Sequence, residues 1–218
     1  MRAATRTQRF DSKRDEVLRA SGRVFARLGF RAATLADIGA ELGTTAAALY
    51  YYAKSKDQLF GDCRQIGLDA IDAALEEGRT TGADGYSRLA IFFRRYAELI
   101  VSDFGRCLAL ANPSDIPAGL REISRARQGS VRRDVQGLIR SGVADGSVRP
   151  CHDLLMANML FGAFNHLPRW WAPDGPQSLE AVARAYVETL ASHPSPPAPK
   201  AHQAHNRAPP RRHAGDGS

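Results

Sequence analysis

Cys151 and His152 are a thiol and an imidazole side by side. Adjacency in sequence does not make a catalytic dyad, because neither group is thereby aimed at the other. The three cysteines, Cys63, Cys107 and Cys151, are odd in number and widely spaced. They match neither zinc-ligand spacing nor a disulfide framework, and they suit a reducing compartment. His202, His205 and His213 lie near the C-terminal end and can at most gather a metal adventitiously. There is no Gly-x-Ser-x-Gly elbow, and no glycine-rich phosphate loop follows a strand. The chain is therefore expected not to be an enzyme and to need neither cofactor nor structural metal. One segment does point to a defined chemistry: TLADIGAELGTTAAALYYYAKSKDQL, Thr34 to Leu59.

Its small side chains, Thr44, Thr45, Ala46, Ala47 and Ala48, let a backbone approach a groove closely. Tyr50, Tyr51 and Tyr52 carry hydroxyls that reach phosphate oxygens and rings that pack on sugars or thymine methyls. Thr34 can cap a helix and also touch a phosphate. Lys56 stands at the start of another helix, where its charge and the free N–H groups together favour a phosphate. Ile38, Leu42 and Leu49 read as core. A short helix of this kind enters the major groove of double-stranded DNA N-terminus first, while the preceding helix crosses the backbone.

Helical periodicity supplies the frame that positions these groups. A first helix is expected over 12–28, with Val17, Ser21, Val24 and Leu28 on one face and Gly29 ending it in a left-handed conformation. Thr34 and Asp37 form a capping-box pair for a second helix that Gly43 stops. Thr45 caps a third helix over 46–52, and Ser55 a fourth reaching about 77. A loop is expected over 78–85. Further helices are expected over 86–104, 118–142 (on Leu120, Ile123, Val131, Val135, Leu138 and Ile139), 153–166 and 178–191, with Pro168 interrupting. No alternating β-branched run competes, so the fold class is all-α. The organisation expected is a flexible basic arm (1–10), a helix-turn-helix domain (11–58), a helical effector-binding and dimerisation domain (59–192), and a Pro/His/Arg-rich disordered tail (193–218).

The Thr34–Leu59 segment resembles the DNA-binding domain of the TetR family of repressors. The residues that carry the likeness are Thr34, Ile38, Gly43, Thr45, Leu49, Tyr50, Ser55, Lys56 and Leu59, in order and at the family's spacing. Thr44 stands where Val is usual, and Ala53 where a Phe packs the recognition helix onto the next one, a departure expected to loosen that packing. With the upstream helix, about 50 residues are covered. The resemblance implies a homodimer that places two recognition helices one DNA turn apart on a palindromic or pseudo-palindromic operator. It also implies that the last two helices build the dimer contact, through Leu155, Gly162, Val182, Tyr186 and Leu190.

A second likeness lies in DFGRCLALAN and in SGVADGSVRPCHDLLMANMLFGAFNHLPRWWAPDG. Asn165, Arg169, Trp170, Pro173 and Gly175 stand where a TetR subgroup linked to fatty-acid and steroid breakdown has its signature, with His166 in place of a Trp. That implies a small hydrophobic effector such as an acyl-CoA, walled by Phe92, Tyr96, Phe104, Met159, Phe161, Phe164, Asn165 and Trp170. Such an aromatic stripe at helical spacing is more often plain core. Arg121, Arg125, Arg132 and Arg133 can meet the CoA phosphates or form a solvated face.

Charge distribution agrees with a nucleic-acid-facing end. Residues 1–60 carry 11 Lys/Arg against 6 Asp/Glu, residues 61–192 carry 15 against 16, and residues 193–218 carry 4 against 1. A basic patch binds phosphates by releasing counterions, although a solvated basic surface has the same composition. No run of 18 apolar residues is present and MRAATRTQRF lacks a signal-peptide core, so a cytoplasmic location without membrane contact is expected. Two other readings stand beside the acyl-CoA-released repressor. One is a regulator of efflux or detoxification genes answering an apolar drug-like molecule; the other is a helical protein-interaction module.

Overall fold

The computed structural model describes residues 6–112 and 114–191. The described residues form nine helices and no strand: α1 (Arg6–Ala32), α2 (Leu35–Glu41), α3 (Ala46–Leu49), α4 (Lys56–Thr81), α5 (Gly85–Ile100), α6 (Asp103–Ala109), α7 (Ala118–Asp145), α8 (Asp153–Trp170) and α9 (Leu179–Ala191). The expected all-α class is what is observed. The disordered tail expected over 193–218, and Arg2 of the expected arm, lie outside the described residues.

Two apolar cores organise these helices. The first joins α1 to α3 with the start of α4 through Val17, Val24, Phe25, Ile38, Leu49 and Phe60. Phe25, Phe30 and Phe60 make its aromatic centre, with ring centroids 4.6–6.0 Å apart. The second is built from Leu89, Phe92, Phe93, Val135, Leu160 and Phe164, on α5, α7 and α8, closed by Val182 and Val187 of α9. Helix α4 belongs to both: Leu59, Phe60 and Cys63 enter the first core, and Leu68, Ile71 and Leu75 the second. Helix α6 bridges them likewise, with Phe104 and Cys107 on one side and Leu108 and Ala109 on the other. A displacement of α4 or α6 driven from the second core therefore moves packing contacts of the first, because close-packed interiors transmit strain.

Several boundaries differ from expectation. Helix α1 already runs at Arg6, inside the stretch read as a flexible arm, and its early turn places Phe10 against Tyr51 and Tyr52. The break at Gly29 is present with φ 76°, but ψ is 159°, so the residue is extended rather than left-handed helical, and one more turn follows to Ala32. The α4–α5 loop is shorter than expected, because α4 continues to Thr81 and Asp84 caps α5 through the Ser87 amide. The segment expected as one helix over 86–104 is divided: α5 ends at Ile100, and Ser102 caps a separate α6. Ile123 of α7 is exposed, not inward. Pro168 does not interrupt α8. It sits buried in the final turn, where Arg106 donates to its carbonyl at 3.1 Å and Trp171 N–H closes on Leu167 O at 2.9 Å.

Candidate nucleic-acid interface and internal cavity

The turn between α2 and α3 is fixed by local hydrogen bonds. Thr34 Oγ1 accepts from Asp37 N–H at 3.1 Å, while the Asp37 carboxylate accepts from Thr34 N–H at 2.8 Å and from its hydroxyl at 2.6 Å. These bonds hold the Asp37 carboxyl below its ordinary range, the side-chain bond to Thr34 first. The Thr34 hydroxyl proton is thus committed to Asp37, and the residue is a cap before it is anything else. Gly43 takes φ 64° at the turn. Gly39 lies so close to the start of α3 that a Cβ there would stand 2.9 Å from Thr44 O. This contact sets the two helices at a spacing no larger residue permits. Thr45 caps α3 by accepting from Ala48 N–H at 3.3 Å.

Helix α3 is shorter than the 46–52 expected. It is regular over Ala46–Leu49 and continues as a tightened turn, with Tyr51 N–H on Ala48 O at 3.3 Å and Tyr52 N–H on Leu49 O at 2.9 Å. Three aromatic residues in succession are poor helix formers, and here they follow a single turn of alanines. Leu49 anchors the element in the first core, and Ala46 is half-buried. Thr44, Thr45, Ala47, Ala48, Tyr50 and Tyr51 are exposed and form one ridge. The three tyrosines divide. Tyr50 and Tyr51 are 61% and 68% exposed, whereas Tyr52 is half-buried and stacks on Phe10 with ring centroids 5.5 Å apart. Tyr52 is a packing residue that ties α1 to the end of α3. Ala53, in the place where an aromatic tie was expected, is itself buried.

Lys56 is where the structure departs most from the sequence reading. Its Nζ donates to Phe30 O and Ala33 O, both at 2.8 Å, and lies 4.5 Å from the centroid of the Phe30 ring. The ammonium closes the last carbonyls of α1 instead of facing outward to a phosphate. An exposed cation at the same end is Lys54, which the sequence reading passed over. Replacing Lys56 by Met is accordingly expected to lower stability by about 2 kcal/mol, a charged hydrogen bond plus a cation–π contact. In thermal melts that is a fall of roughly 4–8 °C. The slope of log affinity against log salt on DNA should stay unchanged; a slope reduced by about one would mean that a phosphate contact had been removed.

A cavity of about 560 Å³ opens inside the second core between α4, α5, α6, α7 and α8. Leu68, Ile71, Ile100 and Phe161 give it apolar walls, and Tyr96 donates to Asn165 Oδ1 across it at 2.7 Å. Burial pushes the Tyr96 phenol up, so it stays a neutral donor. Gln128, Arg132, Asn158 and Asn165 line the cavity and are exposed, so it reaches solvent between α7 and α8. Of the residues expected to wall an effector site, Tyr96, Phe161 and Asn165 do so. Phe92 and Phe164 are fully buried packing residues of the second core, and Phe104 belongs to the first. Met159 and Trp170 are exposed and do not line the cavity. The sequence reading missed Arg64 and Ser124, which line it from α4 and α7.

The residues expected at a subunit contact also divide. Leu155 is 58% exposed and Met159 is 51% exposed, and with the exposed Gly162 they stand at i, i+4 and i+7 on one face of α8. Tyr186 and Leu190 are half-buried, and Tyr186 packs edge-on against Phe164. Val182 is 3% exposed and is core, not interface. Burial raises the thiols of Cys63 and Cys107, the latter to about 12, which leaves both unreactive. No group of three or more His, Cys, Asp or Glu is placed to hold a metal, and no helix is long and apolar enough to cross a membrane, among the described residues.

A capped pair of short helices with an exposed, small-sided ridge, carried on a helical body with its own cavity, defines a helix-turn-helix DNA-binding regulator. Residues 17–63 match the model of the bacterial regulatory proteins of the tetR family, and residues 82–193 match the tetracyclin repressor-like C-terminal domain. The chain belongs to the TetR family. It is 32% identical over 189 residues to the HTH-type transcriptional repressor KstR2 of Mycolicibacterium smegmatis, covering 81% of this chain and 87% of that protein. It is 27% identical over 197 residues to KstR2 of Rhodococcus jostii, covering 82% and 89%. Among solved structures, the ketosteroid transcriptional regulator KstR2 of Mycobacterium tuberculosis superposes with a TM-score of 0.76 at 21% identity, covering 84% of this chain and 97% of that one. AibR, in complex with isovaleryl coenzyme A and operator DNA, superposes at 0.71 with 20% identity, covering 82% and 97%. At these identities the two structures speak for the fold.

Proposed function

We propose that the protein is a ligand-responsive transcriptional repressor that binds operator DNA as a homodimer and is released by an acyl-CoA. The observation that carries this reading is the continuity of α4, which begins at Lys56 beside the DNA-facing ridge and lines the cavity with Arg64, Leu68 and Ile71. The acyl group lies in the cavity. The coenzyme extends past the α7–α8 opening, where the exposed Arg132 meets its phosphates. The likeness to the transcriptional repressor KstR2 supports the repressor reading, and the likeness to AibR, whose structure holds isovaleryl coenzyme A, supports the effector class. The protein acts by binding and not by catalysis, on cytoplasmic DNA.

Release works by population shift. An effector that fits one arrangement of α4 better than another draws the protein into the arrangement whose two recognition helices miss successive turns of the groove. Coupling of about 1–3 kcal/mol suffices to change operator affinity roughly 5- to 150-fold.

The exposed Leu155–Met159–Gly162 face of α8 is the proposed subunit contact. Gly162 has nothing within 4 Å of a built Cβ, so no neighbour within the chain demands a glycine there. Gly162 also lines the cavity, so the exposed apolar Leu155 and Met159 carry the proposed contact. The test of the whole reading is a fluorescence-anisotropy titration onto labelled DNA from upstream of the protein's own gene, at fixed salt, with and without long-chain acyl-CoA. Tight, salt-sensitive binding reversed by the thioester is expected. Binding indifferent to the thioester overturns the effector class, and equal affinity for random DNA overturns the regulator.

A further inference from the structure

The cavity holds a buried cation without an anion. Arg64 is 4% exposed and lines the cavity. Its Nη2 donates to Ser124 Oγ at 2.9 Å, whereas Nη1 is buried with no hydrogen-bond partner. The guanidinium lies 5.5 Å from the centroid of Phe60. No carboxylate pairs with it among the described residues, and the cavity lining contains Arg64 and Arg132 but neither Asp nor Glu. Cys107, which it faces electrostatically, is held neutral, because burial pushes that thiol up to about 12. The Ser124 hydroxyl donates its own hydrogen bond to Leu120 O at 2.6 Å, so it serves Arg64 as an acceptor only.

An unpaired buried charge is strongly unfavourable, and such groups are retained where something completes them. Here Arg64 lines an empty volume large enough for a ligand, with Nη1 itself enclosed and unpartnered, and a guanidinium fork matches a carboxylate in shape as well as charge. We infer that Arg64 is the recognition residue for a carboxylate on the part of the effector that enters the cavity. This rests on the reading of the cavity as the effector site and narrows it to acyl groups that bear a second, free carboxylate. The same residue links ligand to DNA. Phe60, beneath the guanidinium, packs against Phe25 and Phe30 in the first core, with centroids at 5.2 and 4.6 Å. A carboxylate that draws Arg64 toward the cavity therefore pulls on α4 about two turns from its start beside the helix-turn-helix.

The test compares decanoate with its uncharged methyl ester, methyl decanoate, on the full-length protein by calorimetry and by release of labelled operator. Wild type is expected to bind decanoate at least about tenfold more tightly than the ester. Arg64→Met is expected to erase that preference while holding ester affinity within about twofold, and Arg64→Lys to keep part of it. The unliganded Arg64→Met protein should melt no lower than wild type, since it loses an unpaired buried charge. Equal binding of acid and ester by wild type overturns the inference and leaves the cavity as an apolar effector site. So does a preference that survives in Arg64→Met, which places the anion elsewhere. A marked fall in the melting temperature of Arg64→Met would show a structural arginine and overturn it as well. Binding of neither compound overturns the inference, and release of operator by long-chain acyl-CoA then decides the effector reading of the cavity separately.

Discussion

Ala47→Trp is expected to weaken operator binding at least about 100-fold while leaving the melting temperature unchanged. Ala47 is exposed on α3, on the side opposite the buried Leu49. Nothing inside the protein is lost when it is enlarged, and surface substitutions of this kind stay within about 0.5 kcal/mol. The major groove is about 12 Å wide and admits a helix, but only where the side chains facing its floor are small. An indole between Thr44 and Tyr50 holds the element off the bases by its own thickness. The base contacts are then lost, while the contacts to flanking phosphates remain. The fall corresponds to about 2.7 kcal/mol, within the range of one or two lost base contacts. Ala47→Ser is the control and should bind within a fewfold of wild type. Anisotropy titration at two salt concentrations separates the terms: a specific complex reduced to the non-specific level keeps its salt dependence. Undiminished affinity in Ala47→Trp would place the groove-facing side of α3 elsewhere.

What could be read from the sequence was what the chain decides locally. Thr34 with Asp37, Thr45 with Ala48 and Ser55 with Gln58 are caps closed within three residues, and all three are found. A hydroxyl beside a free N–H needs no tertiary information. Lys56 needed it. Its carbonyl partners Phe30, Arg31 and Ala33 lie 23 to 26 residues away and meet it only because Gly29 and Thr34 turn α1 back across the start of α4. A lysine at a helix start looks the same in sequence whether it faces a phosphate or a neighbour's C-terminal carbonyls.

Which aromatic residues border the cavity was hidden for a related reason. Phe92, Phe164 and Tyr96 all lie on the apolar faces of their helices, and periodicity does not distinguish a side chain that touches another from one that borders a void. The separation was there in one signal only. Arg64 and Ser124 are polar residues on apolar faces, at positions where α4 and α7 bury their neighbours Leu68 and Val131. Pro168 misled because proline is usually a helix breaker in mid-element, whereas here it removes only the one bond to Phe164 O in the last turn of a helix that stops at Trp170.

Leu155→Glu is expected to dissociate the dimer and, with it, operator binding. The proposed contact is two-fold, so one substitution acts twice: each subunit loses a leucine and meets a carboxylate on its partner. Burying a leucine contributes about 1.5–3 kcal/mol, so removing two from the interface and desolvating two charges in their place exceeds what an association of ordinary strength can absorb. Because Leu155 is 58% exposed in the single chain, the monomer itself has no reason to unfold. Light scattering after size exclusion should show half the mass, and helical content should be retained. Affinity for the full operator should fall at least about 100-fold, since the second half-site is no longer presented at the effective concentration that linkage to the first provides. Affinity for an isolated half-site should be unchanged, and the salt slope on the operator should drop toward the half-site value as the number of neutralised phosphates halves. Ile123→Glu is the matched control: Ile123 is equally exposed, at 58%, but lies on α7 away from the Leu155–Met159–Gly162 face, and its substitution should leave the dimer intact. A Leu155→Glu protein that remains dimeric would move the interface off this face of α8. A monomer that still bound the whole operator with wild-type affinity would show that the two recognition helices do not act as a pair.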